Sequence, residues 1–439
     1  MSKDESLEVT LRLLQEASLA PIAHEAVRDY LSWDELVERP LSAGISAAEA
    51  WKLLAVLRRF DATWFPIPTL AGERFWYALP REAVRCLQEI EHHCRADSLL
   101  HKTVEDREGH RFLVRSRVRE AIATCELDGI QIDYERAGRM LQEGRAPQTP
   151  EDRLVLNSYQ MLEDIEGLAQ EPLSPTVGSQ LYSRLTEGVD VAGLRRGPVT
   201  TNLAATRNPD GLMSDRDLES VFQTICDYAN GDVGDPLEPV AAKGYMLLSA
   251  MAYWHPLPDF NGSVARHMLR IFAVRRDYPV LGYLPMSQVR HRWVQGQLDS
   301  GVVRYQHIDR RPAIEGEIEG TADLLTSLQI VVVAIHDVLR LIEKSRLEDR
   351  AVQEALDADT ELNYRQRSVL ARAMTRPSAE FQIRQHQHAH RVVYSTARAD
   401  LFELADLGYL RKEIRGKAFI FVPEENLRER LAGAVDQLT

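Results

Sequence analysis

The chain has 439 residues, 44% of them hydrophobic and 27% charged, with a formal net charge of −13 at pH 7. That length predicts two or three domains, and the composition predicts a soluble globular protein. The acidic balance argues against non-specific coating of nucleic acid by the whole chain, and leaves room for a local basic face. Cys86, Cys94, Cys125 and Cys226 form no CxxC pair, so a reducing cytoplasm is the expected compartment. The start MSKDESLEV lacks the basic-then-apolar order of a signal peptide. The most apolar run, residues 328–339, is short and contains His336 and Asp337, so no membrane span is expected.

Helical patterns dominate the first 346 residues. In residues 30–60, Ser46 with Glu49 three positions on predicts a capping box, and Trp51, Leu54 and Leu57 give the following helix one apolar face. Residues 119–130, REAIATCELDGI, read as a helix closed by a glycine cap at Gly129, with Glu126 and Asp128 near its end. In residues 194–213 a β-prone run, VTTNL, precedes the turn signal Asn208-Pro-Asp-Gly211, so a β-hairpin is expected. Loops are expected near 143–149 and 230–236.

Residues 253–270, YWHPLPDFNGSVARHMLR, hold the densest chemistry. Val240, Tyr245, Leu248 and Met251 mark a helix before it, and Val264, Met268, Leu269 and Phe272 a helix after it. Pro256 and Pro258 stop the first helix, which puts His255 at its end. Asp259, Asn261 and Gly262 fall in the loop, and the second helix is expected to start near Ser263, with Arg266 in its first turn. Free amides at a helix start bind anions. The residues therefore predict a phosphate cradle with a base, His255, on one rim and a metal-capable carboxylate, Asp259, on the other. His267 reads as a packing or solvent-facing side chain. A helix is expected over 324–344, followed by a linker or an extended helix over 345–361.

The C-terminal part carries another pattern: a helix from Gln366 to near Pro377, a short β-like stretch at 380–383, a helix over 395–407 ended by Gly408, and a β-hairpin over 411–422 with Gly416 at its tip. This looks like a winged helix with 395–407 as its second helix. Arg384, Arg391, Arg398, Arg411, Lys412, Arg415 and Lys417 could meet phosphates, whereas Asp400, Glu403 and Asp406 oppose a polyanion. His386, His388 and His390 alternate at strand spacing, which would put all three on one face as a metal site or, with no carboxylate partner, as a solvated row. DNA binding and a protein-binding or dimerising role are both open.

His255, Pro256, Asp259, Asn261, Gly262 and Arg266 match in register the loop of the Fic family, His-Pro-Phe-x-Asp/Glu-Gly-Asn-Gly-Arg-x-x-Arg, and the chain resembles that family. Leu257, Phe260 and Ser263 differ from it. Leu257 for Phe is a packing change. Phe260 sits where the family's Gly lets backbone approach phosphate, and Ser263 replaces a cationic fork whose loss costs roughly 1.5–3 kcal/mol of nucleotide interaction. The resemblance implies a mainly α fold: a Fic-type helical bundle with a β-hairpin flap at 194–213, plus a C-terminal winged helix-turn-helix domain. It divides the chain into an N-terminal helical region, residues 1–100; a Fic core, 101–345; and a linker with the winged helix, 346–439. It resembles the family also in residues 30–60, in the helix start at Pro285-Met-Ser287, and in residues 116–130, where Thr124, Asp128 and Gly129 are similar to the inhibitory motif Ser/Thr-x-x-x-Glu-Gly.

What the resemblance implies is a protein nucleotidylyltransferase. His255 would be the general base, Asp259 would hold Mg²⁺, and Asn261, Gly262, Ser263 and Arg266 would bind the phosphates of ATP or another nucleoside triphosphate. Asp128 would inhibit by pairing with Arg266. The implied partner is a protein hydroxyl or the chain itself; DNA, through the winged helix, and a homodimer are further candidates, and no membrane is expected. The alternatives are a catalytically altered scaffold working as a DNA-binding regulator or interaction protein, or an enzyme that uses another phosphate donor or removes AMP.

Overall fold

The computed structural model describes residues 19–41, 45–69, 72–105, 110–194, 215–298, 303, 314–358, 362–375, 379–415, 418–424, 426–427 and 430–431. The expected flap over 194–213 falls outside them beyond Leu194, as do Gly416 and Lys417. The chain divides into two compact units, Met1–Val338 and Leu339–Thr439.

The first unit opens with α1 (Leu19–Asp29), α2 (Trp33–Val37) and α3 (Ala47–Arg59). The Ser46–Glu49 capping box starts α3, and Trp51 and Leu54 are buried on its apolar face. Strands β1 (Thr63–Trp64) and β2 (Arg74–Tyr77) follow, then α4 (Arg81–Cys94), α5 (Leu99–Glu105), α6 (His110–Leu127), α7 (Tyr134–Glu143), α8 (Pro150–Glu163), α9 (Ile165–Leu168), α10 (Pro175–Leu185) and α11 (Asp215–Asn230). The helix pair that frames the histidine loop is α12 (Val240–Trp254) and α13 (Asn261–Arg275); α14 (Pro279–Tyr283), α15 (Met286–Val294), β3 (Glu317–Glu319) and α16 (Thr321–Ala358) complete the run. The mainly helical class expected from the sequence is what the structure has.

The sequence patterns did not reveal a three-stranded sheet, β1-β2-β3, in which β2 pairs antiparallel with β1 and parallel with β3, Trp76 opposite Glu319. The β2 and β3 partners are more than two hundred residues apart, and such a pairing leaves no local period. Arg58 in α3 is tied to this sheet by a bidentate contact to Glu319, 2.6 and 2.7 Å.

The main core is built by α6, α8, α10, α11, α12 and α13, with Ile122, Leu154, Leu181, Ile225, Leu247, Met251, Val264, Met268 and Ile271 inside it. Helix α12 approaches α13 closely at Gly244, where an added Cβ would lie 2.9 Å from Leu269 Cδ1. Of the 345–361 stretch, the described part is helix: α16 continues to Ala358. Residues Thr321–Leu347 of α16 are long and apolar enough to cross a membrane by length and composition, but more than half of the most apolar window is buried, with Leu324, Leu325, Leu328, Ala334 and Ile335 in the packed interior.

The second unit contains α17 (Tyr364–Thr375), β4 (Phe381–Gln382), α18 (Ile383–His390), α19 (Tyr394–Asp406), β5 (Leu410–Arg415) and β6 (Ala418–Pro423), with sheet order β4-β6-β5 and a core of Leu370, Ala397, Leu401, Leu404 and Phe421. Two expectations are corrected here. The 395–407 helix is the third of this unit's described helices after the division, since α18 precedes it. The three histidines do not alternate along a strand: β4 ends at Gln382, and residues 383–390 are helical. His386 is buried and lies 3.0 Å from Asp400 through Nε2, so a carboxylate partner exists, and the His386 and His390 rings, one turn apart, are 4.7 Å apart. The polar string IRQHQHAH hid a helical period that only Ile383 and His386 mark by burial.

Candidate functional site

Helix α12 ends at Trp254 because His255 takes the left-handed conformation, φ 45°, while its N–H still donates to Met251 O at 3.1 Å. Pro256 cannot donate a helical hydrogen bond. The loop then turns back over buried Leu257. Asn261 staples it: Leu257 N–H donates to Asn261 Oδ1 at 2.9 Å and Asn261 Nδ2 donates to Leu257 O at 2.8 Å. Both polar atoms of the Asn261 side chain are thus used on the loop backbone, and what this residue can offer an anion is its place at the helix start.

Phe260 is the residue before α13 and is also left-handed, φ 51°, with its ring buried in the main core. Two of the five described non-glycine residues with positive φ therefore bracket this loop. Each such conformation costs on the order of 1–2 kcal/mol, and strain of this kind collects at functional sites. Burial of the Phe260 ring offsets it, which explains how Phe is held at a position suited to glycine.

Helix α13 begins at Asn261, two residues earlier than expected, because Phe260 turns the chain and Asn261 closes the loop. Arg266 therefore lies in the second turn and not the first. No side chain of the preceding residue caps α13. The cap comes from the end of α6. Asp128 Oδ2 accepts from Ser263 N–H at 3.0 Å, and Asp128 Oδ1 accepts from Arg266 Nη2 at 2.6 Å. One carboxylate thus bridges an amide at the helix start and the guanidinium, as an anion drawn to a helix N-terminus would. Gly262 gives it room: a Cβ there would lie 2.5 Å from Asp128 Oδ1 and 3.0 Å from Arg266 Nη1.

Thr124 is the second partner of Arg266. Its Oγ1 accepts from Nε at 2.5 Å and its carbonyl from Nη2 at 2.7 Å; Ser263 Oγ donates to the same carbonyl at 3.4 Å. Ser263 is buried and short, so the guanidinium of Arg266 leans over it, 3.2 Å from its Oγ. Gly129, φ 81°, turns the chain away behind Asp128. The glycine-cap reading of residues 119–130 and the acid–arginine contact are therefore compatible: the cap fixes the turn that aims the acid.

His255 is half-buried with Nδ1 in the interior. Asp259 is also half-buried, and its Oδ1 accepts the Phe260 N–H at 2.8 Å. Among the described residues no three His, Cys, Asp or Glu side chains cluster as a metal site. One carboxylate still fits Mg²⁺ chemistry, because that ion commonly takes one or two carboxylates and completes its shell with substrate phosphates and water.

Three nearby groups are shifted by burial. Glu126, on α6 with Oε2 3.5 Å from His291 Nδ1, is pushed up to about 7, and His291 is pushed down. His267 is buried against Ser158 Oγ, 3.3 Å from its Nε2, and burial with the flanking arginines lowers it to about 3. It is a neutral packing residue and not a second base. The unfolded chain takes up this proton near pH 6.5, whereas the folded chain resists until about 3. Stability from this group is therefore complete above 6.5 and is lost as pH falls, by up to about 1.4 kcal/mol per pH unit. Urea titrations between pH 4 and 6.5 should show that slope shrink in His267→Asn; an unchanged slope rejects the assignment.

Residues that sequence reading missed lie one turn further along the same helices. Arg270 is bonded to Glu120, both 2% exposed, and donates to the carbonyls of Leu281, Gly282 and Leu284; Glu120 also accepts from Ser287 N–H at 2.8 Å and from its hydroxyl. The available signal was spacing: Glu120, Thr124 and Asp128 recur every four residues, as do Arg266 and Arg270.

The geometry defines a helical protein with an anion cradle at a loop–helix junction, filled by an acidic side chain from a neighbouring helix. No protein-family model matches the chain, and no curated protein matches it. Among solved structures it is similar to a Fic family protein from Desulfovibrio desulfuricans G20, with 14% sequence identity and a TM-score of 0.44, over 80% of this chain and 98% of that one.

Proposed function

We propose that the first unit is a Fic-type nucleotidylyltransferase that moves a nucleotide monophosphate from a nucleoside triphosphate to a protein hydroxyl, breaking the α–β phosphoanhydride bond and releasing pyrophosphate, and is held inactive by Asp128. The observation that carries this reading is the Asp128 carboxylate bonded at once to Ser263 N–H and Arg266, which is where a phosphate of the donor would bind. In this reading His255, at the strained end of α12, takes the proton of the attacking hydroxyl. Ser263 N–H, Gly262 and Arg266 hold donor phosphates, and Asp259 would hold Mg²⁺, which offsets phosphate charge when bound. Positioning and electrostatics supply most of the rate in such transfers.

Intact-mass measurement of Asp128→Ala protein with Mg²⁺ and each of ATP, GTP, CTP and UTP tests the proposal. A gain of one nucleotide monophosphate on the chain, or on a co-incubated protein, supports it and identifies the donor. No transfer to any protein from a cell extract, with any of the four, rejects it.

A second reading, polyanion binding, is favoured in residues 362–431, where thirteen Lys and Arg face eight Asp and Glu in a chain whose total is −13. Asp400 on α19 does not oppose a polyanion, because it is buried and bonded to Arg365 at 2.7 Å, Asn363 at 2.8 Å and His386 at 3.0 Å. Exposed Arg398 and Lys412 instead flank Phe402, at 4.7 and 5.0 Å from its ring. Binding to duplex DNA should weaken as salt rises, and Arg398→Ala with Lys412→Ala should lower the log–log salt slope by roughly one per cation removed. Absence of any shift with genomic fragments at low salt excludes this reading.

A further inference from the structure

Helix α6 touches the site helix α13 through two polar rungs and not one. Ser116, Glu120, Thr124 and Asp128 succeed one another at four-residue spacing, so they share one face of α6 and its terminal turn. Ser116 Oγ donates to Tyr283 O at 2.6 Å. Glu120 meets Arg270, and Thr124 with Asp128 meets Arg266. The rungs differ in burial. The side chains of Glu120 and Arg270 are each 2% exposed, whereas Arg266 and Asp128 are 16% and 11% exposed. Glu120 is further held by the backbone and hydroxyl of Ser287 at the start of α15, and Arg270 by three carbonyls around α14. Separating α6 from α13 would leave a buried charge on each side, which is more costly than opening the outer pair, which solvent reaches in part.

We propose that Glu120 is a positioning residue. Through Arg270 it fixes α6 against α13 in the closed and the open site alike, so that inhibition ends when the Asp128 side chain alone leaves Ser263 and Arg266. This deepens the reading of the site given above and rests on it only for the role of the donor. Helix α6 is then a permanent wall of the site. Thr124, carried on that wall, keeps its two bonds to Arg266 after Asp128 has gone, and so holds the guanidinium aimed at an incoming phosphate. The turn at Gly129 supplies the freedom for Asp128 to move without the helix.

Hydrogen–deuterium exchange across α6 in wild type, Asp128→Ala and Glu120→Gln separates this from release of the whole helix. The expected result is α6 protection in Asp128→Ala within about threefold of wild type, and a rise of tenfold or more over α6 and the start of α15 in Glu120→Gln. A tenfold rise in Asp128→Ala alone overturns the proposal. The functional arm is calorimetric binding of Mg·ATP in the Asp128→Ala background. Adding Glu120→Gln should weaken binding at least tenfold, and Glu120→Asp in its place should recover most of it. Equal binding in all three folded variants overturns the positioning role. Glu120→Met with Arg270→Met, which removes both charges and keeps the volume filled, serves if the single variant does not fold. Failure of Asp128→Ala to bind any nucleoside triphosphate would count against the transferase reading, while the exchange result would still decide whether α6 is fixed.

Discussion

Replacing Asp128 by Ala is expected to raise nucleotide binding and transfer by about tenfold to a hundredfold, the range set by roughly 1.5–3 kcal/mol for a charge-assisted hydrogen bond. The carboxylate occupies Ser263 N–H and Arg266 together, so a donor phosphate must displace both contacts to bind. Alanine keeps the backbone of the turn, and the left-handed position belongs to Gly129 and not to residue 128; glycine at 128 would loosen the turn as well. The same substitution removes the cap of α13, since Phe260 offers none. The unliganded variant should therefore be less stable, by about 1 kcal/mol for the lost cap. Mg·ATP should restore that loss, because a bound phosphate takes over the cap. Paired measurements of initial transfer rate and of melting temperature with and without nucleotide check both halves. Unchanged affinity together with an unchanged melting temperature would refute the inhibitory role.

The second large effect is expected at His255. His255→Ala in the Asp128→Ala background should lower transfer by about a hundredfold to ten-thousandfold, the usual contribution of a positioned general base. Nucleotide affinity should stay within a few-fold, because the contacts that hold phosphate come from α13. The left-handed backbone at residue 255 needs care, since Ala tolerates it less well than Asn. His255→Asn is the companion variant: it removes the base and keeps the turn. Loss of transfer in both, with Mg·ATP binding retained by calorimetry, supports the role. Transfer at the parent rate in His255→Asn refutes it.

Much of the site was legible before the fold. The order His255, Pro256, Asp259, Asn261, Gly262, Arg266 sets a helix end, a short loop and a helix start within twelve residues, and those are local events. Proline removes a donor and a helix start leaves amides exposed; both follow from covalent structure. The same locality made the Ser46 capping box and the ends of α12 readable. Asn261 reads in sequence as a phosphate ligand, whereas its side chain is spent on the Leu257 backbone four residues away. Reading failed where the local string was ambiguous. The residues before Ser263 could as well have been loop, so Arg266 was placed one turn too early. IRQHQHAH carries no apolar period, so α18 passed for a strand.

The sequence by itself determined which residues can do chemistry and roughly where helices begin and end, because those depend on neighbours within about four positions. Tertiary structure alone decided that Asp128 meets Ser263 and Arg266, 135 and 138 residues away, that Glu120 and Arg270 form a buried rung beneath them, and that Asp400 is bonded to Arg365 and His386. Those contacts arise when α6 packs on α13 and α17 and α18 pack on α19. The drive is burial of Ile122, Val264 and Met268 in one unit and of Leu370, Ala397 and Leu401 in the other. Hydrophobic burial is non-directional, so it does not appear as a spacing rule for the polar groups that it brings together.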